Sequence, residues 1–92
     1  MGRDSPTYSV ELTGTAERRL ADYAAWWRFL RRAIDELALD PEPDGLAKLV
    51  APAKSGYAGC LIYNVAPFWI VYQLVGPDRV IIISITPQPW RM

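Results

Sequence analysis

Apolar and polar residues first alternate over Tyr8-Ser-Val-Glu-Leu12, so that Tyr8, Val10 and Leu12 share one face. A period of two predicts a strand with those three side chains covered. The period then changes. From Ala16 the apolar positions are Ala16, Leu20, Tyr23 or Ala24, Trp27, Leu30, Ile34 and Leu37. Steps of three and four mark the apolar stripe of a helix. Glu17, Arg18, Asp22, Arg28, Arg31, Arg32, Asp35 and Glu36 occupy much of the remainder. Thr13 is placed to cap the helix, its hydroxyl accepting a backbone N–H of the first turn, and Glu17 suits the positive end of the dipole. No Gly or Pro interrupts residues 15–39. One helix from about Gly14 to Leu39 satisfies the periodicity. A turn near Ala24–Trp27 would instead make a helical hairpin. A single helix brings the next strand back parallel to the first, whereas a hairpin permits an antiparallel return.

Asp40-Pro-Glu-Pro-Asp-Gly45 ends the helical region, because each proline lacks a donor and restricts the residue before it. Leu46-Ala-Lys-Leu-Val50 fits either a turn of helix or an extended segment, and Ala51 to Gly56 reads as loop. Three runs rich in β-branched and aromatic residues follow, from Cys60 to Val65, Phe68 to Val75 and Arg79 to Thr86. Ala66-Pro67 and Gly76-Pro77-Asp78 separate them, which predicts an antiparallel three-strand meander at the core. Pro67 cannot donate to a sheet ladder and belongs in the connection. Residues 1–6 read as a loose arm. Residues 87–92, with two prolines, read as a tail that leaves the sheet. The expected fold class is α+β in a single domain over residues 1–92. A small antiparallel sheet packs against a helical hairpin or one long helix.

Composition narrows the chemistry. The 92 residues are 51% hydrophobic, enough for one core. Ten basic and ten acidic residues cancel, so there is no general electrostatic pull toward nucleic acid. Histidine is absent, which removes the commonest general base and metal ligand near neutral pH. With one cysteine and scattered carboxylates no metal-site spacing is present. No metal and no cofactor are expected. Cys60 has no intramolecular disulfide partner and reads as a small buried hydrophobe, consistent with a reducing, cytoplasmic setting. The opening Met-Gly-Arg-Asp-Ser-Pro carries no apolar stretch behind its charges, so a signal peptide is not expected. The apolar runs are too short to span a bilayer, so no membrane partner is expected.

Three stretches together resemble the RelE/ParE superfamily of bacterial toxins. Tyr8-Ser-Val-Glu-Leu-Thr13 followed by Ala16-Glu17 is similar to that family's opening strand and helix start. Leu37-Ala-Leu-Asp-Pro41, then Gly45-Leu-Ala-Lys-Leu49, is similar to its helix end and following loop. Phe68-Trp-Ile-Val-Tyr-Gln-Leu74 is similar to its penultimate strand. The resemblance implies an antiparallel sheet against a helical pair, and the toxin role in a type II toxin–antitoxin module. It implies an antitoxin protein as partner. It also implies either the ribosome with its mRNA, cut in the A site, or DNA gyrase as target. RelE-like cleavage uses a cluster of Lys and Arg on the central strands. Here the strand after Tyr57 carries none, and the usual Arg of the next strand corresponds to Trp69. A ribosome-dependent endoribonuclease that inhibits translation therefore stands beside a non-nuclease binding module on the same fold.

For the nuclease reading the contacts expected on RNA are Lys48, Lys54, Tyr72 and Arg91. The lysines would clamp phosphate, Tyr72 would donate to it, and Arg91 would stack beside Trp90. The same residues also suit solvated loops, sheet packing and a frayed terminus. The expected partner-binding residues are Trp26, Trp27, Arg28, Arg31, Arg32 and Trp90. Adjacent tryptophans cannot both face the core of one helix, and Trp is favoured at protein interfaces. Arg28, Arg31 and Arg32 form a basic cluster that suits either an acidic partner or surface pairs with Asp35 and Glu36.

Overall fold

The computed structural model describes residues 8–45, 47–52, 54 and 56–88. The alternating stretch forms strand β1, Ser9–Leu12. Thr13 caps helix α1, Gly14–Asp22, its hydroxyl accepting from the Ala16 N–H at 3.1 Å. α1 ends at Tyr23, whose backbone leaves the helical region at φ −105° and ψ 43°. A single 3₁₀ turn, Ala24–Trp26, leads into helix α2, Trp27–Leu39. The helical region is thus a pair. About 26 residues in one helix would run ~39 Å, longer than a strand of eight or nine residues at ~3.3 Å each. Breaking the helix lets Ala16 of α1, and Leu30, Ala33, Ile34 and Leu37 of α2, bury on one sheet face.

The remaining strands are β2, Lys48–Val50, β3, Leu61–Val65, β4, Phe68–Val75, and β5, Arg79–Pro87. Their order in the sheet is β1-β5-β4-β3-β2. β3, β4 and β5 form the antiparallel meander. Three features differ from the sequence expectation. Lys48–Val50 is extended and adds a fifth strand antiparallel to β3, with Lys48 opposite Tyr63. β1 pairs parallel with β5, so the sheet is mixed. The helical hairpin reverses the chain twice, and β2 accordingly runs antiparallel to β1 at the opposite edge. β5 also continues through Pro87, which faces Phe68 at the sheet end; there proline costs no interior ladder bond.

The sheet is covered on both faces. Ile70, Tyr72, Val80, Ile82 and Ile85 are fully buried toward the helices. On the other face Ile62, Trp69 and Val71 are buried under Ala51, with Tyr57, Cys60 and Ile83 packed beside them. The register shifts by one residue between Val71, opposite Ser84, and Tyr72, opposite Ile82. This bulge explains the isoleucine run of β5. Strict alternation would send Ile82 and Ile85 to opposite faces, whereas one extra residue, Ile83, lets both reach the helices. Gly76 takes φ +64° in the β4–β5 turn, a conformation glycine adopts without a Cβ penalty. Among the described residues no helix is long and apolar enough to cross a membrane. The expected arm, residues 1–6, and the last four residues of the tail lie outside the described residues.

Candidate functional site

The helical hairpin presents two small residues and a tryptophan where it crosses the end of β1. Ala21 near the end of α1, Ala24 in the 3₁₀ turn and Trp27 at the start of α2 line a groove with Leu12, Glu17 and Leu20. Its volume is about 550 Å³, and apart from Glu17 its lining is apolar. The short side chains at 21 and 24 leave the space, and Trp27 forms a wall that is 46% exposed. The guanidinium of Arg31, one turn along α2, lies 5.8 Å from the centre of the Trp27 ring. That is cation–π geometry.

A second aromatic group adjoins this groove. Phe68, the first residue of β4, is buried, with Tyr23 at 4.8 Å and Trp26 at 5.3 Å between ring centres. Phe29 stands edge-on to Trp26 at 5.5 Å. Trp26 and Phe29 nevertheless remain 42% and 39% exposed. Both tryptophans are therefore surface residues, as adjacency on a helix requires of at least one. Trp26 leans on the sheet end through Phe68, and Trp27 faces the groove.

Arginines stand at both ends. Arg18 and Arg19 line a neighbouring concavity that shares Ala21 with the groove. Arg28 lines another that shares Ala24 and Trp27. Arg31 pairs with Asp35 at 3.3 Å in an exposed i, i+4 arrangement. Among the described residues Arg18, Arg19, Arg28 and Arg32 hold no ion pair. Glu36 accepts a hydrogen bond from the Tyr63 hydroxyl at 2.7 Å.

Of the residues expected to contact RNA, Lys48, Lys54 and Tyr72 lie among the described residues. Lys48 is half-buried on edge strand β2, with its ammonium 5.2 Å from the centre of the Tyr63 ring. Lys54 is exposed, in the segment between Ala51 and Tyr57 whose ends cover the opposite sheet face. Tyr72 is 0% exposed, and its hydroxyl donates to the Pro41 carbonyl at 2.7 Å. It presents no atom to a ligand in this conformation. Burial, then the charges of Asp44, Asp40 and Glu42, hold its ionisation well above the usual phenol range. Tyr63 is pushed up to about 12 by burial first, then by its bond to Glu36 and the charges of Glu36 and Asp44. Neither tyrosine is prepared to act as an acid at neutral pH. Arg79 forms a two-point contact with Glu11 at 3.1 and 3.0 Å, tying β5 to β1. That contact raises its already high ionisation further. Arg91 and Trp90 lie outside the described residues.

β3 and β4 offer no compensating cations. β3, Leu-Ile-Tyr-Asn-Val, and β4, Phe-Trp-Ile-Val-Tyr-Gln-Leu-Val, contain no charged residue. At their shared end Asn64 accepts a hydrogen bond from the Gln88 side chain, and the Gln88 N–H donates to the Pro67 carbonyl at 2.9 Å. Sequence reasoning singled out Trp26, Trp27 and the α2 arginines. It did not find Leu12, Leu20, Ala21 and Ala24, the residues that make the groove. The small residues in Leu20-Ala-Asp-Tyr-Ala-Ala-Trp27 were the available signal.

No protein-family model and no curated protein matches the chain. Among solved structures, the fold is similar to a chain of the toxin–antitoxin complex RelBE2 from Mycobacterium tuberculosis, with a TM-score of 0.69 at 17% identity. The likeness covers 92% of this chain and 95% of that one. It bears out the RelE/ParE-like α+β fold expected from the sequence.

Proposed function

We propose that this chain is the toxin half of a toxin–antitoxin pair, neutralised by a small antitoxin protein, and that it acts on its target by binding. The solved relative belongs to a complex of that kind. The observation that supports binding over cleavage is the absence of charge from β3 and β4. Cutting a phosphodiester requires cations or other donors where charge develops on phosphate, and cations hold the backbone in place. Here those two strands contribute buried apolar side chains to both sheet faces. A non-nuclease action, such as inhibition of DNA gyrase, needs only a complementary surface.

Ribosome-dependent mRNA cleavage is the second reading, favoured by Lys48 and Lys54 on one short stretch of chain. With Arg91 they would hold the RNA backbone, and translation would stop. Controlled expression of the chain alone, with labelled thymidine and amino acids followed in parallel, tests both. Arrest with DNA synthesis falling first supports binding to gyrase. Arrest with protein synthesis falling first, abolished by joint Lys48→Ala, Lys54→Ala and Arg91→Ala, supports cleavage. Undisturbed growth with soluble chain present would overturn the toxin role.

A further inference from the structure

We propose that the aromatic end of the helical hairpin is a contact between two copies of this chain, related by a two-fold axis. The inference concerns this chain alone and does not rest on the toxin reading. A two-fold contact sets one patch against itself, so the patch must carry both halves of every fit. Here it does. Ala21 and Ala24 leave a groove of about 550 Å³, walled by Leu12, Leu20 and Trp27. Beside it stand Trp26 and Phe29, 42% and 39% exposed. Trp26 is edge-on to Phe29 at 5.5 Å and to Phe68 at 5.3 Å between ring centres. A side chain held in this way has little freedom left to lose on contact. A fixed aromatic next to a groove over small residues supplies knob and hole in one patch, and Trp is favoured at the centre of such contacts.

The charges around the groove are of both signs, which suits a second copy better than a partner of a single sign. Glu17 is the charged residue on the groove wall. Arg28 lines the adjoining concavity, which shares Ala24 and Trp27 with the groove. Neither holds an ion pair among the described residues. Beyond Ala21, Arg18 and Arg19 share a concavity with Asp22, and Arg31 is met by Asp35. A uniformly acidic occupant meets like charge at Glu17 and Asp22, and a uniformly basic one meets it at the arginines. An inverted second copy instead sets Glu17 of each chain toward Arg28 of the other. Ten basic and ten acidic residues also leave no net charge to hold two copies apart.

Sedimentation equilibrium of the full chain at increasing concentration tests this. The average mass should rise from one chain toward two and stop there, as a closed two-fold contact requires. Ala24→Arg, at an exposed position, fills the groove and should leave a monomer, whereas Ala24→Ser should leave the dimer. Glu17→Arg sets basic against basic across the contact, and Arg28→Glu sets acid against acid. Each alone should weaken association at least about tenfold. In an equimolar mixture of those two variants each chain meets opposite charge at both points. Association of the mixture should return to within about threefold of the parent's. Circular dichroism establishes that each variant is folded, and the parent and Ala24→Arg masses decide even where a charge reversal fails to fold. A monomer at every concentration, a mass that climbs past two chains, a dimer that survives Ala24→Arg, or folded reversal variants that stay monomeric when mixed would each overturn the inference. Growth arrest plays no part in these readings, so this test and the toxin assay fail independently.

Discussion

Tyr63 and Tyr72 are alike in sequence, each an aromatic in a β-branched run, and the structure gives them different work. Tyr72 lies inside the sheet and fixes the proline loop through the Pro41 carbonyl. Tyr72→Phe leaves that buried carbonyl without its donor, so a loss of about 1–2 kcal/mol is expected, read as a lower urea midpoint at unchanged slope. Tyr63 stands nearer the sheet edge and donates to Glu36. Its ionisation moves from 10.0 to about 12 on folding. The folded state therefore favours the protonated phenol. The corresponding stability is fully present below pH 10 and is lost as pH rises through about 12. Tyr63→Phe has no proton to lose there. Melting temperature should fall more between pH 8 and pH 11 in the parent than in the variant, and equal falls would refute the assignment. The sequence did not separate these two roles. Which tyrosine meets a carbonyl and which meets a carboxylate depends on the placement of Pro41 and Glu36 across the sheet face.

At the scale of elements, Thr13 joins what the sequence presented as separate parts. Its N–H donates to the Ile82 carbonyl at 3.0 Å, its hydroxyl donates to the Ile83 carbonyl at 2.8 Å, and the same oxygen caps α1. A single residue thus ends β1, starts α1 and holds both to the bulged part of β5. Thr13→Ala should cost about 1–2 kcal/mol, and Thr13→Ser appreciably less, by chemical denaturation. Gly76 offers a contrasting case. Nothing lies within 4 Å of the position a Cβ would take, yet its φ is +64°. Gly76→Ala should therefore destabilise by about 1 kcal/mol through backbone strain alone. The periods of two and 3.6 were enough to find β1, the helical stretch and the meander. They were silent on β2, whose three residues are shorter than any periodicity can resolve. They were equally silent on the bulge, because Ile81-Ile82-Ile83 reads the same on either face until a partner strand sets the register. The helix break at Tyr23 carried no Gly or Pro to announce it, and follows from packing Tyr23 and Trp26 around Phe68.

Across the whole molecule the charges cancel in number but not in position. Five arginines and four acidic residues lie on the helical hairpin, while the proline loop that follows carries only Asp40, Glu42 and Asp44. β3 and β4 themselves carry no charge. Mixed charge on a neutral chain suits oriented docking to a complementary protein better than tracking along a uniformly charged polymer. The distinction has a measurable form. If RNA is held only through Lys48, Lys54 and Arg91, at most three phosphates are neutralised. The slope of log K against log salt on a single-stranded oligonucleotide should then be no steeper than about −2, at roughly −0.7 per phosphate. Such a shallow slope means affinity falls only about tenfold or somewhat more between 50 and 200 mM salt, leaving little hold on RNA without another surface to assist. A slope steeper than about −3 would require cations beyond those three, and the arginines of the helical hairpin are a candidate reserve. In that event Arg28→Glu with Arg31→Glu would flatten the slope. RNA would then be a ligand of the hairpin face.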